Sequence, residues 1–382
     1  MNPAAVATKE APEAEGRVRL EPPAPERAPR LVSLDAFRGF TMFWIVGGKN
    51  LLGALQQLNQ NALLGFLTYQ LDHSLWEGLR FYDVIWPSFM LMVGMSIPFS
   101  FAKRSLSQTR RQILTSAAGR AAILFLLGSL RTSVSSGAPT LIELSSALQP
   151  IAVAYLVASF LAGSSARTQA AAGAGLLAGY AALLAFVPAP GIPAGAYVKD
   201  ANVVTAVDLA VLGRAHEEGW GTVLSTIPTI STTILGLLVG GLLMSDRSAR
   251  AKARIIAITG LGGLALGFGL SPFLPVVMKL WTASYGLASA GWACLLFLCF
   301  YWITDVQGRR RWAFPFVVIG MNAIAAYLGP TLIPIRRIAG IFTKGAAAEL
   351  GSFGTLFTAV TVLVAEWLIL YWMYRRKIFL KA

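Results

Sequence analysis

Residues 69–94 read YQLDHSLWEGLRFYDVIWPSFMLMVG. A histidine and three carboxylates (Asp72, Glu77 and Asp83) come first, and an apolar run then continues to about residue 102. That run has about the 20 residues an α-helix needs to cross the hydrocarbon core of a bilayer. The rest of the chain repeats the pattern. Of its 382 residues 55% are hydrophobic and 13% charged, with 37 glycines, a balance beyond what a soluble core requires. Apolar runs predict helices at 34–54, 81–102, 112–130, 144–163, 169–187, 222–244, 254–271, 280–303, 313–334 and 353–374. The expected fold is therefore all-α, a polytopic integral membrane helical bundle of about ten transmembrane helices.

The net charge of +14 is spread over short clusters between apolar runs. Nucleic-acid binding calls for a basic stripe with interleaved aromatics, so no nucleic-acid partner is expected and topology is the better explanation. Segments on the side of the amino-terminal tail hold 21 Lys and Arg and those on the other side 8, with Arg38, Lys49 and Arg120 inside helices. Cytoplasmic loops carry the basic excess, so both termini are predicted to be cytoplasmic and loops 55–80 and 188–221 external. The latter contains VPAPGIPAGAYVKD, whose prolines and glycines predict an ordered, turn-rich cap and not a strand-forming domain.

Residues 1–30 are rich in Pro, Glu, Ala and Arg and contain no apolar core of signal-peptide length. They read as a disordered cytoplasmic tail ahead of a membrane domain over 31–382. Cys294 and Cys299 lie about 140° apart around one helix and cannot bridge locally. Two cysteines with two distant histidines give no metal-ligand spacing, so no metal is expected. No internal repeat of the inverted-transporter kind is visible.

Scarce polar groups inside such a chain mark candidate sites. In SLDAFRGFTMFWIVGGKN, Asp35 and Arg38 share a helical face. They read either as a snorkelling interfacial pair or as an anion site in which Asp35 holds the Arg38 guanidinium for a phosphate. Gly47 and Gly48 would admit a close neighbour beside Lys49 and Asn50. His73 on its own reads as a solvated loop residue. Trp76 one turn along, Asp72 and Glu77 as orienting carboxylates, and Asp83 entering the apolar run make it a general-base candidate instead.

Glu143, Gln149, Thr282, Ser284, Asp305, Asn322, Tyr327 and Glu366 recur within apolar runs or at their ends. Each also reads as an interhelical hydrogen bond worth about 0.6 kcal/mol. Lys279 beside Trp281 suits either a sugar site or an interfacial anchor. His216 lies in an external loop of charged and small residues. No G-x-S-x-G, Walker-type or H-E-x-x-H motif is present, so serine hydrolases, ATPases and zinc proteases lack sequence support.

These residues also carry a resemblance. SLDAFRGFTM (33–42), HSLWEGLRFYDVIWPSFMLMVGMSI (73–97), LSTIPTISTTILGLLVG (224–240), KLWTASY (279–285), FPFVVIGMNAIAAYL (314–328) and YRRKIFLK (374–381) resemble the heparan-α-glucosaminide N-acetyltransferase family. These are polytopic enzymes that move acetyl from cytoplasmic acetyl-CoA to the amine of a terminal glucosamine on the far side. The resemblance implies His73 as the catalytic residue, with Asp35, Arg38, Trp76, Asp83, Lys279, Trp281 and Asn322 as the next candidates.

Two departures stand out. LQPIA places Pro150 where the family commonly has a basic residue, and a 30-residue tail replaces the large luminal domain of the animal lysosomal enzymes. The implied protein is a bacterial-type member in the inner (plasma) membrane.

The expected activity is acetyl transfer from acetyl-CoA, as co-substrate, to an amino sugar or cell-envelope glycan. His73 acts as base, Asp83 or Asp72 orients it, and Arg38, Asp35 and Gln149 contact CoA. Trp76, Lys279, Trp281 and Asn322 meet the acceptor, Asn322 or a backbone N–H serving the oxyanion. Expected partners are the bilayer, acetyl-CoA and the acceptor, and a homodimer is compatible with the fold. With His73 at the outer rim and the donor inside, about 30 Å apart, an acetyl-histidine relay is the alternative to direct transfer. The rival from another class is a proton-coupled transporter or flippase using Asp35, Asp83, Asp305 and Glu366.

Overall fold

A computed structural model describes residues 31–59, 61–144, 147–216 and 218–380; the tail expected over 1–30 lies outside them. The described residues form fourteen α-helices. α1 (Val32–Gln56) and the short α2 (Ala62–Leu71) lead into the loop carrying His73. A single 3-10 turn, Tyr82–Val84, then runs directly into α3 (Ile85–Ser105). α4 (Arg110–Ser136), α5 (Leu148–Leu161) and α6 (Ala166–Phe186) follow. After them come α7 (Val203–Leu212), α8 (Thr226–Met244), α9 (Ala249–Gly269) and α10 (Ala283–Tyr301). α11 (Phe314–Met321), α12 (Ala323–Leu332), α13 (Ile335–Glu349) and α14 (Gly354–Arg375) complete the order.

Seven stretches are long and apolar enough to cross a membrane: Tyr82–Ser105, α4, α6, α8, α9, Ala283–Val306 and Gly351–Arg375. α11 and α12, bent by 62°, make an eighth if they are taken as one span. The chain is thus a polytopic helical membrane protein, but ten spans are not established. α1 is helical but carries Asp35, Arg38 and Lys49. The 14 residues of α5 rise only about 21 Å. Large apolar side chains such as Leu126, Leu261 and Leu368 face outward, as a lipid solvent requires.

Local chemistry sets the helix ends. Thr109 and Gln112 form a reciprocal capping box on α4, and the side chains of Ser165, Ser248 and Asn202 accept first-turn N–H groups of α6, α9 and α7. α1 has no such local cap. Asp305, from the π-helical turn Trp302–Val306 that ends α10, accepts the N–H groups of Val32 and Ser33 at 3.1 and 3.0 Å. A negative charge is thus placed on orphan donors at a helix N-terminus. α3 and α8 cross in backbone contact: a Cβ at Gly94 would overlap the Thr233 carbonyl and one at Gly236 the Leu91 carbonyl.

Three helices were not expected. α2 and α7 have ten residues each, and α13 is amphipathic where a loop was predicted, so a search for long apolar runs passes over all three. The described residues of the cap, 188–216 and 218–221, are turn-rich and hold one short strand pairing. β1 (Tyr197–Val198) pairs antiparallel with β2 (Ala201–Asn202).

Candidate functional site

Asp83 organises the site. It sits in the turn that opens the Tyr82–Ser105 span, where its Oδ2 accepts the N–H of Arg80 at 2.9 Å and of Ser74 at 3.3 Å. Its own carbonyl accepts the Tyr285 hydroxyl of α10 at 2.7 Å. The carboxylate is fully buried, and its Oδ1 lies 2.8 Å from Nδ1 of His73, whose side chain is 34% exposed. A carboxylate only accepts, so Nδ1 donates and the lone pair of the neutral ring stays on Nε2.

The loop bearing His73 is tied down on several sides. His73 N–H donates to Asp72 Oδ1 at 2.8 Å, Gly78 N–H to the Val276 carbonyl at 2.8 Å, and Trp76 Nε1 to the Tyr197 carbonyl at 2.7 Å. Glu77 forms a bridge with Val277. Loops 55–80, 188–221 and 272–279 thereby converge at one end of the bundle. Of the two candidate orienting carboxylates, Asp72 accepts the backbone N–H of His73 and Asp83 contacts its ring. Trp76 lies in the apolar cluster with Tyr180, Val204 and Leu280, so it braces the loop instead of stacking on His73.

The aromatic walls come from elsewhere. Trp220 stands edge-on to His73 with ring centroids 5.4 Å apart, and Tyr82 leans on it at 4.7 Å. Gly48 of α1 makes room for Tyr82, since a Cβ there would collide with the phenol ring; Tyr82 in turn donates to the Trp44 carbonyl at 3.1 Å. Trp86, Trp220, Trp281 and Pro150 line a narrow slot with room for about one water-sized group, about 10 Å³. The departure at Pro150 therefore falls inside the aromatic site. Trp281 holds a left-handed φ of 49°, a strained conformation for a bulky residue and of the kind that clusters at functional sites.

Lys279 Nζ donates to the Glu218 carbonyl at 2.9 Å and lies 5.8 Å from the Trp220 ring centre. Trp220 Nε1 donates to Glu218 Oε2 at 3.0 Å. That bond holds the Glu218 carboxyl below its usual range, and Lys279 adds to the effect. The end of this loop is fixed by Asp208, whose oxygens accept the N–H groups of Thr222 and Val223 at 2.9 Å each. Burial nonetheless pushes Asp208 up, outweighing those bonds. His216 lies near Glu143 and Arg214 in a separate polar cavity of about 290 Å³.

The structure does not gather every predicted residue here. Arg38 stays with Asp35, its Nη1 3.4 Å from Oδ1, and its Nε donates to Met92 Sδ at 3.1 Å. Gln149 is fully buried and committed to scaffolding. Its Oε1 accepts the N–H groups of Glu143 and Leu144, and its Nε2 donates to Ser129 Oγ and the Leu141 carbonyl. Asn322 stands at the α11–α12 break, where it donates to the Ile378 carbonyl and accepts Leu380 N–H. Both amides are thus taken up by local partners, Gln149 by Ser129 and the backbone at 141–144 and Asn322 by the backbone at 378 and 380. Trp220, Tyr82, Trp86 and Tyr285 were missed: nothing in the spacing links a tryptophan in GWGT to a histidine 147 residues earlier.

No protein-family model matches the chain. It is similar to the human heparan-alpha-glucosaminide N-acetyltransferase, with 25% identity over an alignment of 433 residues that takes in 92% of this chain. The chain spans 60% of the length of that relative.

Proposed function

We propose that this protein is a membrane acetyltransferase that moves acetyl from acetyl-CoA to an amino sugar or cell-envelope glycan, with His73 as general base. The observation that carries this reading is the contact between His73 and a fully buried Asp83 pinned by backbone N–H groups. It fixes the imidazole in one orientation and one tautomer. The distant similarity to an acetyltransferase over nearly the whole chain supports the same class.

In this mechanism Nε2 takes the proton of the acceptor amine or hydroxyl as its nitrogen or oxygen attacks the thioester carbonyl. The C–S bond breaks and CoA leaves as the thiol once protonated. Asp83 keeps the imidazolium in place as it forms. Lys279, Trp220 and Trp281 form the acceptor side, and Arg38 with Asp35 meets the CoA phosphates; Gln149 and Asn322, committed to scaffolding, are given no contact. Arg38 lies ten residues before Gly48, about 15 Å along α1. That shorter span favours direct transfer over an acetyl-histidine relay. The proposed setting is the bacterial inner membrane, with α1 and α5 also embedded, ten spans in all and both termini cytoplasmic.

A proton-coupled transporter finds less support, because three of the four carboxylates it would use are engaged separately. Asp35 pairs with Arg38, Asp83 with His73, and Asp305 caps α1. The test uses purified protein in nanodiscs with labelled acetyl-CoA and a panel of amino sugars. His73→Ala is expected to abolish transfer while acetyl-CoA still binds. Failure of the folded parent to bind acetyl-CoA would overturn the reading.

A further inference from the structure

A second cavity system lies on the other side of α1. A cavity of about 720 Å³ between α1, α11, α12 and α14 is walled by apolar side chains from Val360 to Met373, about 20 Å of α14. Glu366 is the one charged residue among its described lining. A neighbouring cavity of about 470 Å³ shares Val46, Pro330 and Glu366 with it and adds Asn50, Arg336 and Arg337. Together they form one cleft, apolar along its length and cationic at one mouth.

α13 sets the cations there. Its Ile338, Ile341 and Phe342 lie three and four residues apart on one face and are exposed, while Arg336, Arg337 and Lys344 supply charge. A helix of that kind lies in a membrane interface. Arg336 Nη1 donates to Asn50 Oδ1 at 3.1 Å, which anchors the guanidinium beside α1. The charge is also out of place by the topology rule. Arg336, Arg337 and Lys344 are three of the eight Lys and Arg on the basic-poor side.

We infer that this cleft binds a phosphate-headed lipid, its phosphate on Arg336 and Arg337 and its hydrocarbon chain along α14. The planar guanidinium can bind two phosphate oxygens. The 20 Å of apolar wall accommodates a chain that fills one leaflet, about 15 Å deep. Glu366 lies one turn beyond Val362 and lines both cavities, so the two meet at its side chain. The inference stands apart from acetyl transfer and holds or fails without it.

The test takes delipidated full-length protein in detergent with equal amounts of dioleoyl phosphatidate and dioleoyl phosphatidylcholine, and reads the retained lipid by native mass spectrometry. The parent is expected to prefer phosphatidate by about tenfold or more, from two cations each contributing about 1 kcal/mol. Arg336→Gln with Arg337→Gln brings the preference near parity. Val364→Trp, at an exposed position lining the apolar cavity, lowers retention of both lipids. If the double Gln variant fails to fold, Arg336→Lys with Arg337→Lys keeps the charge, loses the fork and is expected to fall between the two. Equal retention by the parent, displacement of phosphatidate by millimolar inorganic phosphate, or a preference unchanged in the folded double variant would overturn the inference. So would efficient Val364→Cys cross-linking between copies, which would put a second chain on this face.

Discussion

Two carboxylate contacts lie one helix apart in this protein and are built on different principles. Arg38 and Asp35 occupy one turn of α1, at 3.4 Å, with side chains 26% and 11% exposed. His73 and Asp83 meet at 2.8 Å, with the carboxylate wholly buried. Ser74, Arg80, Tyr285, Trp220 and Tyr82 come from four parts of the fold to hold them. The first pair forms within one helix turn, with Arg38 also donating to Met92 of α3. A pair assembled from several segments is held in one geometry before substrate arrives, as general-base catalysis requires.

Three measurements can break or sharpen that contrast. The largest effect is expected for Asp83→Asn, which keeps His73 but removes the carboxylate that fixes its tautomer. Transfer should fall by about 10²–10⁴ while acetyl-CoA binding persists. Stability should drop by about 3 kcal/mol, because buried partners lose their charged acceptor. If transfer survives in the folded variant, the dyad is structural and the contrast fails.

A smaller effect is expected at the other pair. Arg38→Gln should weaken donor binding by about 10- to 100-fold, from charge-assisted hydrogen bonds of about 1.5–3 kcal/mol. The turnover of bound donor should not change. A fall in turnover with unchanged affinity would place Arg38 with the chemistry instead.

The smallest effect concerns the wall beside His73. Glu218 is held below its usual range by the Trp220 indole, so its contribution is complete above the ordinary glutamate value of about 4.3 and is lost as pH falls through the lower folded value. Tryptophan fluorescence assigned to Trp220, by difference with Trp220→Phe, should stay level from pH 8 to about 5 and change only below the ordinary glutamate value. A transition between pH 6 and 7 would show that Glu218 does not set the position of Trp220.

His73 and Asp83 could be singled out in the sequence because an imidazole and a carboxylate beside an apolar run are costly unless partnered. Which carboxylate partners the ring could not be read, since Asp72 is adjacent and Asp83 ten residues away. The connecting loop has no period to place either one. The partners of Gln149 and Asn322 were not legible for a related reason. A polar side chain in an apolar run signals an unmet hydrogen bond, but not whether a ligand or the protein's own backbone meets it. Here the bends at 141–144 and at the α11–α12 break take both amides.

The sequence by itself determined that this is a helical membrane protein. A backbone in hydrocarbon must satisfy its own hydrogen bonds, and long apolar runs leave the helix as the way to do it. It also made Asp35 and Arg38 neighbours, because helical spacing is fixed. Only the tertiary structure decided that Asp83 holds His73, that Trp220 walls it, and that Arg336 and Arg337 stand over an apolar cleft beside α14. Those relations join residues far apart in the chain through irregular loops and helix crossings, where packing and not periodicity sets the distances.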